Sequence, residues 1–173
     1  KYSTLGAEIE FFCNNDDNFE NFMEEDLNLF IKKNKCWITN FKDKNKIFIH
    51  SYKESFFKRY RYNTFFQEMY FQKDLEKLNF PICDGMYKGI CDYSIIDNLE
   101  KLLPSSKNNF VIFLTLNGHT PSKLINIKKK SECRNIYPLY IYEEFCVVYL
   151  NQALFNERLS KFIDRTLKPN DIL

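Results

Sequence analysis

Hydroxyl, imidazole and guanidinium groups fall in three short segments of this 173-residue chain that suit work on a phosphate ester. Near the start, Ser3 and Thr4 precede Leu5-Gly6-Ala7-Glu8-Ile9-Glu10-Phe11-Phe12, which reads as a turn entering a short helix. Exposed N–H groups at a helix start favour a hydroxyl cap or an anion. The hydroxyl there is either an ordinary N-cap or a nucleophile. In the second role a bare Thr needs a base or a metal to take its proton, and no His or Asp adjoins it in sequence. His50 ends an apparent strand, and Lys58 and Arg59 follow within two or three helical turns. Arg offers a planar fork of donors to a phosphate; a solvated basic face and an aromatic-rich nucleic-acid surface are the competing readings. His119 sits in Gly118-His119-Thr120-Pro121, directly after an apolar strand. That turn suits ligand contact, although a lone imidazole also fits a structural role.

Six cysteines are many for a reduced cytosolic chain, and none forms a CxxC pair. With only two distant His, a zinc site of the CxxC…HxxxH type lacks its parts. Disulfides formed in an oxidising compartment are the better reading. Cys83 and Cys91 would close a small loop, Cys133 and Cys146 would make another pair, and Cys13 and Cys36 a third, but spacing alone leaves the connectivity open.

The elements that must carry these groups alternate in type. Asp17–Lys33 has the apolar spacing of a helix, with Lys32 and Lys33 at its end to suit the macrodipole. Residues 36–41 and 46–50 read as short strands, and 55–62 as helical. Asp92 is placed to cap a helix over 93–103, ahead of Pro104. The run 109–116 is apolar on both faces, as expected of a central parallel strand. A long helix over 142–167 carries Phe145, Val148, Tyr149, Phe155, Leu159, Phe162 and Ile163 on one side, the side expected to be buried. The chain then leads from Pro169 towards another strand. The expected fold is α/β, a mainly parallel sheet flanked by helices.

Composition narrows the classes. Hydrophobic residues at 45% and aromatics at 17% exclude a disordered chain. Four Gly and five Pro exclude a linker or collagen-like chain. A net charge of +2 argues against a dedicated nucleic-acid binder. The longest apolar runs are too short to span a bilayer, and the first residues do not read as a signal peptide.

Taken in order, the segments resemble the membrane-anchored phosphoethanolamine and phosphoglycerol transferases. These are the lipid A phosphoethanolamine transferases and lipoteichoic acid synthases of the sulfatase/alkaline phosphatase superfamily. Thr4-Leu5-Gly6-Ala7-Glu8-Ile9 is similar to the family's nucleophile element, which implies Thr4 as nucleophile, with Ser3 as second choice. His50, Phe57 and Arg59 fall at the spacing of the synthases' glycerol-phosphate-binding stretch, Phe57 replacing the usual Trp. Leu116-Asn117-Gly118-His119-Thr120-Pro121 is similar to a family hallmark whose His contacts the transferred phosphate group. The Cys83…Cys91 spacing is similar to a disulfide loop of the phosphoethanolamine transferases.

The resemblance implies an incomplete alkaline phosphatase/sulfatase-like layered fold over residues 1–173, the middle of a catalytic domain. It also implies transfer of phosphoethanolamine or phosphoglycerol from a phospholipid donor to a glycan or lipid acceptor of the cell envelope, through a phospho-threonine intermediate. The parent protein would be membrane-anchored and face the periplasm, with no nucleic-acid partner. The family holds a divalent metal, often Zn²⁺ or Mn²⁺, with an upstream Glu, the Thr itself and a downstream Asp-His pair. Only Thr4 has a counterpart here, so this chain alone is expected to bind no metal and to be inactive. A sulfatase- or phosphodiesterase-type hydrolase is the alternative enzyme, although Ser3-Thr4-Leu5-Gly6-Ala7 has neither the Pro nor the Arg of a formylglycine motif. A degenerate, non-catalytic binding domain is the alternative outside enzymes.

Overall fold

The computed structural model describes residues 4–13, 22, 26–84, 87–104, 108–116 and 143–166. The chain divides into two compact units. One comprises Lys1–Ile49, Glu54–Tyr70 and Ser105–Phe113; the other comprises His50–Lys53, Phe71–Pro104 and Leu114–Leu173.

In the first unit, helix α1 (Thr4–Cys13) buries Leu5, Ile9, Phe12 and Cys13, one side of a 3.6-residue repeat. Helix α2 (Leu27–Asn34) is capped by Asp26, whose carboxylate accepts from the N–H groups of Asn28 and Leu29 at 2.9 and 3.1 Å. It ends at Lys35, which turns left-handed at φ 49°. The expected strand at 36–41 is instead a 3₁₀ helix over Trp37–Asn40. Two causes are visible. Thr39 donates its hydroxyl back to the Cys36 carbonyl at 2.7 Å, and the turn brings Trp37 onto Phe41 at 5.7 Å, where an extended strand would have held them about 13 Å apart.

Three strands make the parallel sheet: β1 (Asn45–His50), β2 (Glu68–Tyr70) and β5 (Asn109–Leu114), in the order β2-β1-β5. Ile47, Phe48 and Ile49 of β1 stand opposite Glu68, Met69 and Tyr70. β1 is the central strand, and Ile47, Phe48 and Ile49 are all buried, so the sheet is covered on both faces. The strand expected to be central, β5, is only half-buried along its length and lies beside β1 at one side. Asn45 ties the starts of all three strands, donating to Glu68 and Asn109 at 3.0 and 3.1 Å. Phe12, Phe48, Tyr62, Phe65 and Phe66 pack edge-on or tilted beneath the sheet, with Phe48 and Phe66 centroids 5.2 Å apart. Each such ring contributes about 2–3 kcal/mol relative to exposure.

The second unit holds α3 (Gln72–Lys77), a two-strand antiparallel ladder of β3 (Ile82–Cys83) and β4 (Gly89–Ile90), α4 (Asp92–Asp97), a 3₁₀ turn (Leu99–Leu102) and the long helix α5 (Glu143–Thr166). Helix α5 packs on α4 and buries Cys146, Val147, Leu150 and Phe162. Phe145 and Tyr149, expected on the buried side, are 66% and 64% exposed. Ion pairs Arg158–Asp97 (2.8 Å) and Arg165–Glu100 (3.1 Å) flank the packing.

Cys13 is bonded to Cys36 and Cys83 to Cys91. Cys146 is also disulfide-bonded; Cys133 lies outside the described residues. Closing loops of 23 and 8 residues restricts the unfolded chain by about 3 kcal/mol each. Replacing Cys83 and Cys91 by Ser, or adding reductant, should lower the unfolding free energy by that order in urea titrations; a variant as stable as the parent would contradict it.

Candidate functional site

Helix α1 starts at Thr4, and Glu8 follows one turn later on the same side of the helix. Glu8 is drawn inward by Arg59. Arg59 Nε donates to Glu8 Oε2 at 3.0 Å and Nη2 to Oε1 at 2.5 Å, a two-pronged pair. Tyr62 adds its hydroxyl to Oε2 at 2.7 Å. Arg59 is 1% exposed and the Glu8 side chain 10%, so the charges are compensated internally. Burial, and then the negative charge of Glu8, push the Tyr62 phenol well above the ordinary range. The neutral hydroxyl is the form that can donate to the carboxylate.

Arg59 lies in a 3₁₀ stretch (Phe56–Thr64) that is broken at two residues. Phe57 and Lys58 take φ of 55° and 51°, left-handed values that side chains seldom adopt. Strain of this kind persists only where surroundings enforce it, and it clusters at ligand sites. Around these two residues the Phe56 and Phe57 rings lie 4.3 Å apart, and the Arg59 guanidinium sits 5.5 and 5.2 Å from their centres. Phe57 and Arg59, both expected to bind substrate, meet as a cation over a ring.

In the second unit, His50 closes β1 and is 2% exposed. Its Nδ1 lies 3.2 Å from the Leu114 carbonyl at the end of β5. A carbonyl only accepts, so Nδ1 carries the proton. The next residue, Ser51, donates its hydroxyl to Asp92 Oδ1. Asp92 Oδ2 accepts the Leu116 N–H at 2.7 Å. The Ser51 carbonyl takes the Ile90 N–H at 2.8 Å. Gly89 permits this approach: a Cβ there would lie 2.6 Å from the Ser51 carbonyl oxygen and would overlap the Leu116 side chain.

Asp92, read from sequence as a helix cap, is the first residue of α4, with Cys91 in the capping position. Its side chain instead serves two strand ends. His50 belongs to the second unit, and Phe57 and Arg59 to the first. Ser3, His119 and Cys133, and the Thr4 side chain, lie outside the described residues. The roles of Glu8, Ser51, Tyr62 and Asp92 had little signal in sequence; a carboxylate one turn after the Thr was the only pointer. Among the described residues no three His, Cys, Asp or Glu side chains are grouped to hold a metal ion. Thr4, the one ligand that the resemblance implies here, has its side chain outside the described residues.

No known family profile matches the sequence, and no curated protein matches it. Among solved structures, the chain is similar to the crystal structure of the lipoteichoic acid synthase LtaP from Listeria monocytogenes, with a TM-score of 0.61 at 15% identity. The match covers 95% of this chain and 40% of that one. At that identity the likeness establishes a shared α/β fold.

Replacing Arg59 by Met should cost about 3–5 kcal/mol, because it leaves a carboxylate without its buried counter-charge. Adding Glu8→Leu should recover most of that loss in chemical denaturation; losses that simply add would overturn the pairing. The Tyr62 contribution has a defined pH sign. Its folded value is raised, so its stabilisation is complete below about pH 10, the ordinary phenol value, and fades as pH climbs through the folded value. Tyr62→Phe should therefore be less sensitive to alkali than the parent in stability measurements from pH 8 to 12.

Proposed function

We propose that this chain is part of an extracytoplasmic transferase that moves phosphoglycerol or phosphoethanolamine from a phospholipid to a glycan or lipid of the cell envelope. The observation that carries this reading is the likeness to a lipoteichoic acid synthase over 95% of the chain. The disulfides agree with maturation in an oxidising compartment. No described helix is long and apolar enough to cross a membrane.

In this reading the Thr4 hydroxyl receives the head-group phosphoryl as diacylglycerol leaves, and an acceptor hydroxyl then displaces the threonine. Thr4 opens a ten-residue helix, whose first N–H groups and dipole favour a phosphate beside it. Glu8, held by Arg59 and Tyr62, anchors that helix one turn after residue 4. His50 offers an imidazole to a phosphate oxygen as donor or orienting group, with His119 as a second. Arg59 and Phe57 shape the head-group site; the strained backbone at Phe57 and Lys58 supports that assignment. A divalent metal belongs to the complete protein in this reading, with ligands beyond Thr4 outside this chain.

Vesicles of phosphatidylglycerol or phosphatidylethanolamine supply the test. In the complete gene product, mass spectrometry should find the head-group phosphoryl on the peptide containing Thr4, and Thr4→Ala should abolish both the adduct and turnover. The chain by itself should show neither. Turnover that survives Thr4→Ala would overturn the mechanism, and ester hydrolysis with no adduct or transfer would favour the hydrolase.

A further inference from the structure

We infer that Asp92 is a positioning residue for His50, setting the orientation in which the imidazole is offered to a phosphate. The inference rests on the reading of His50 as a substrate-binding residue. The His50 ring is held at one edge by the Leu114 carbonyl, 3.2 Å from Nδ1. Whether that contact exists depends on how far apart the ends of β1 and β5 stand. Asp92 sets this spacing from both sides: one carboxylate oxygen takes the hydroxyl of Ser51, adjacent to His50, and the other takes the N–H of Leu116, two residues past Leu114.

Asp92 is itself held in place by independent means. It begins α4 immediately after Cys91, which is bonded to Cys83. The Cys91 N–H is tied to the Pro81 carbonyl at 2.9 Å, and the Ile90 N–H to the Ser51 carbonyl. Asp92 is 3% exposed and Ser51 fully buried, so water does not compete for these bonds. Fixing Nδ1 as the protonated nitrogen makes Nε2 the acceptor of the neutral ring, and its donor once the ring is protonated. An orienting partner of this sort is what a phosphate-facing imidazole requires for a constant geometry.

The chain has two histidines, so its imidazole nitrogens are resolvable by ¹⁵N NMR, with His119→Gln assigning the pair. The parent should show His50 as the Nδ1–H form with a slowly exchanging ring proton. Asp92→Asn cannot accept from both Ser51 and Leu116 at full strength. It should lose the slow proton and move His50 towards a mixture of tautomers, with far-UV circular dichroism unchanged. Ser51→Ala should move it the same way by less, and decides the matter if Asp92→Asn does not fold. His50 signals identical to the parent in the folded variant would overturn the inference. Adding glycerol phosphate to the parent separates the underlying reading: His50 signals that shift support it. Signals that stay still refute substrate contact by His50, and with it the purpose assigned to Asp92, even where the tautomer responds to Asp92→Asn.

Discussion

The buried pair of Glu8 and Arg59 is the constraint on which the first unit turns. A carboxylate and a guanidinium taken out of water cost several kcal/mol each unless they meet in good geometry with their remaining valences used. Here both carboxylate oxygens are occupied, by the Arg59 fork and the Tyr62 hydroxyl. Satisfying that requirement ties the first helix to a segment fifty-one residues later. The two residues just before Arg59, Phe57 and Lys58, take left-handed backbone conformations. Local strain and long-range pairing thus meet at Arg59.

The second unit solves a similar problem with one carboxylate. Asp92 is nearly inaccessible and is stabilised by a hydroxyl and a backbone N–H drawn from two different strand ends. The antiparallel ladder of β3 and β4 and its disulfide hold the helix start that delivers Asp92. In each unit a buried carboxylate, rather than apolar packing alone, ties a helix to segments distant in sequence. Such groups contribute specificity of geometry more than net stability.

Much of the architecture was legible because it rests on periodicity. The α1 stripe of Leu5, Ile9 and Phe12, the buried β1 and the long helix near the C-terminal end all follow from apolar spacing. Where several apolar faces compete, spacing misleads: α5 turns Cys146 and Leu150 inward and leaves Phe145 and Tyr149 outside. The 36–41 segment alternates weakly, and a hydroxyl-to-carbonyl bond together with aromatic packing decided for a turn. Phe57 and Arg59, singled out for a substrate-binding role, lie two residues apart and meet as cation and ring. The partnerships of Arg59 with Glu8 and of Asp92 with Ser51 and Leu116 link distant positions, and a single sequence carries no record of which distant polar groups meet.

The bare α-carbon of Gly89 has a wider meaning. The ladder strand lies directly on the Ser51 carbonyl, with no room for even a methyl group between them. The surface that supports the turn after β1 is therefore made of main chain. However far neighbouring side chains drift over generations, position 89 stays closed to the other nineteen amino acids for as long as this hairpin rests on that turn.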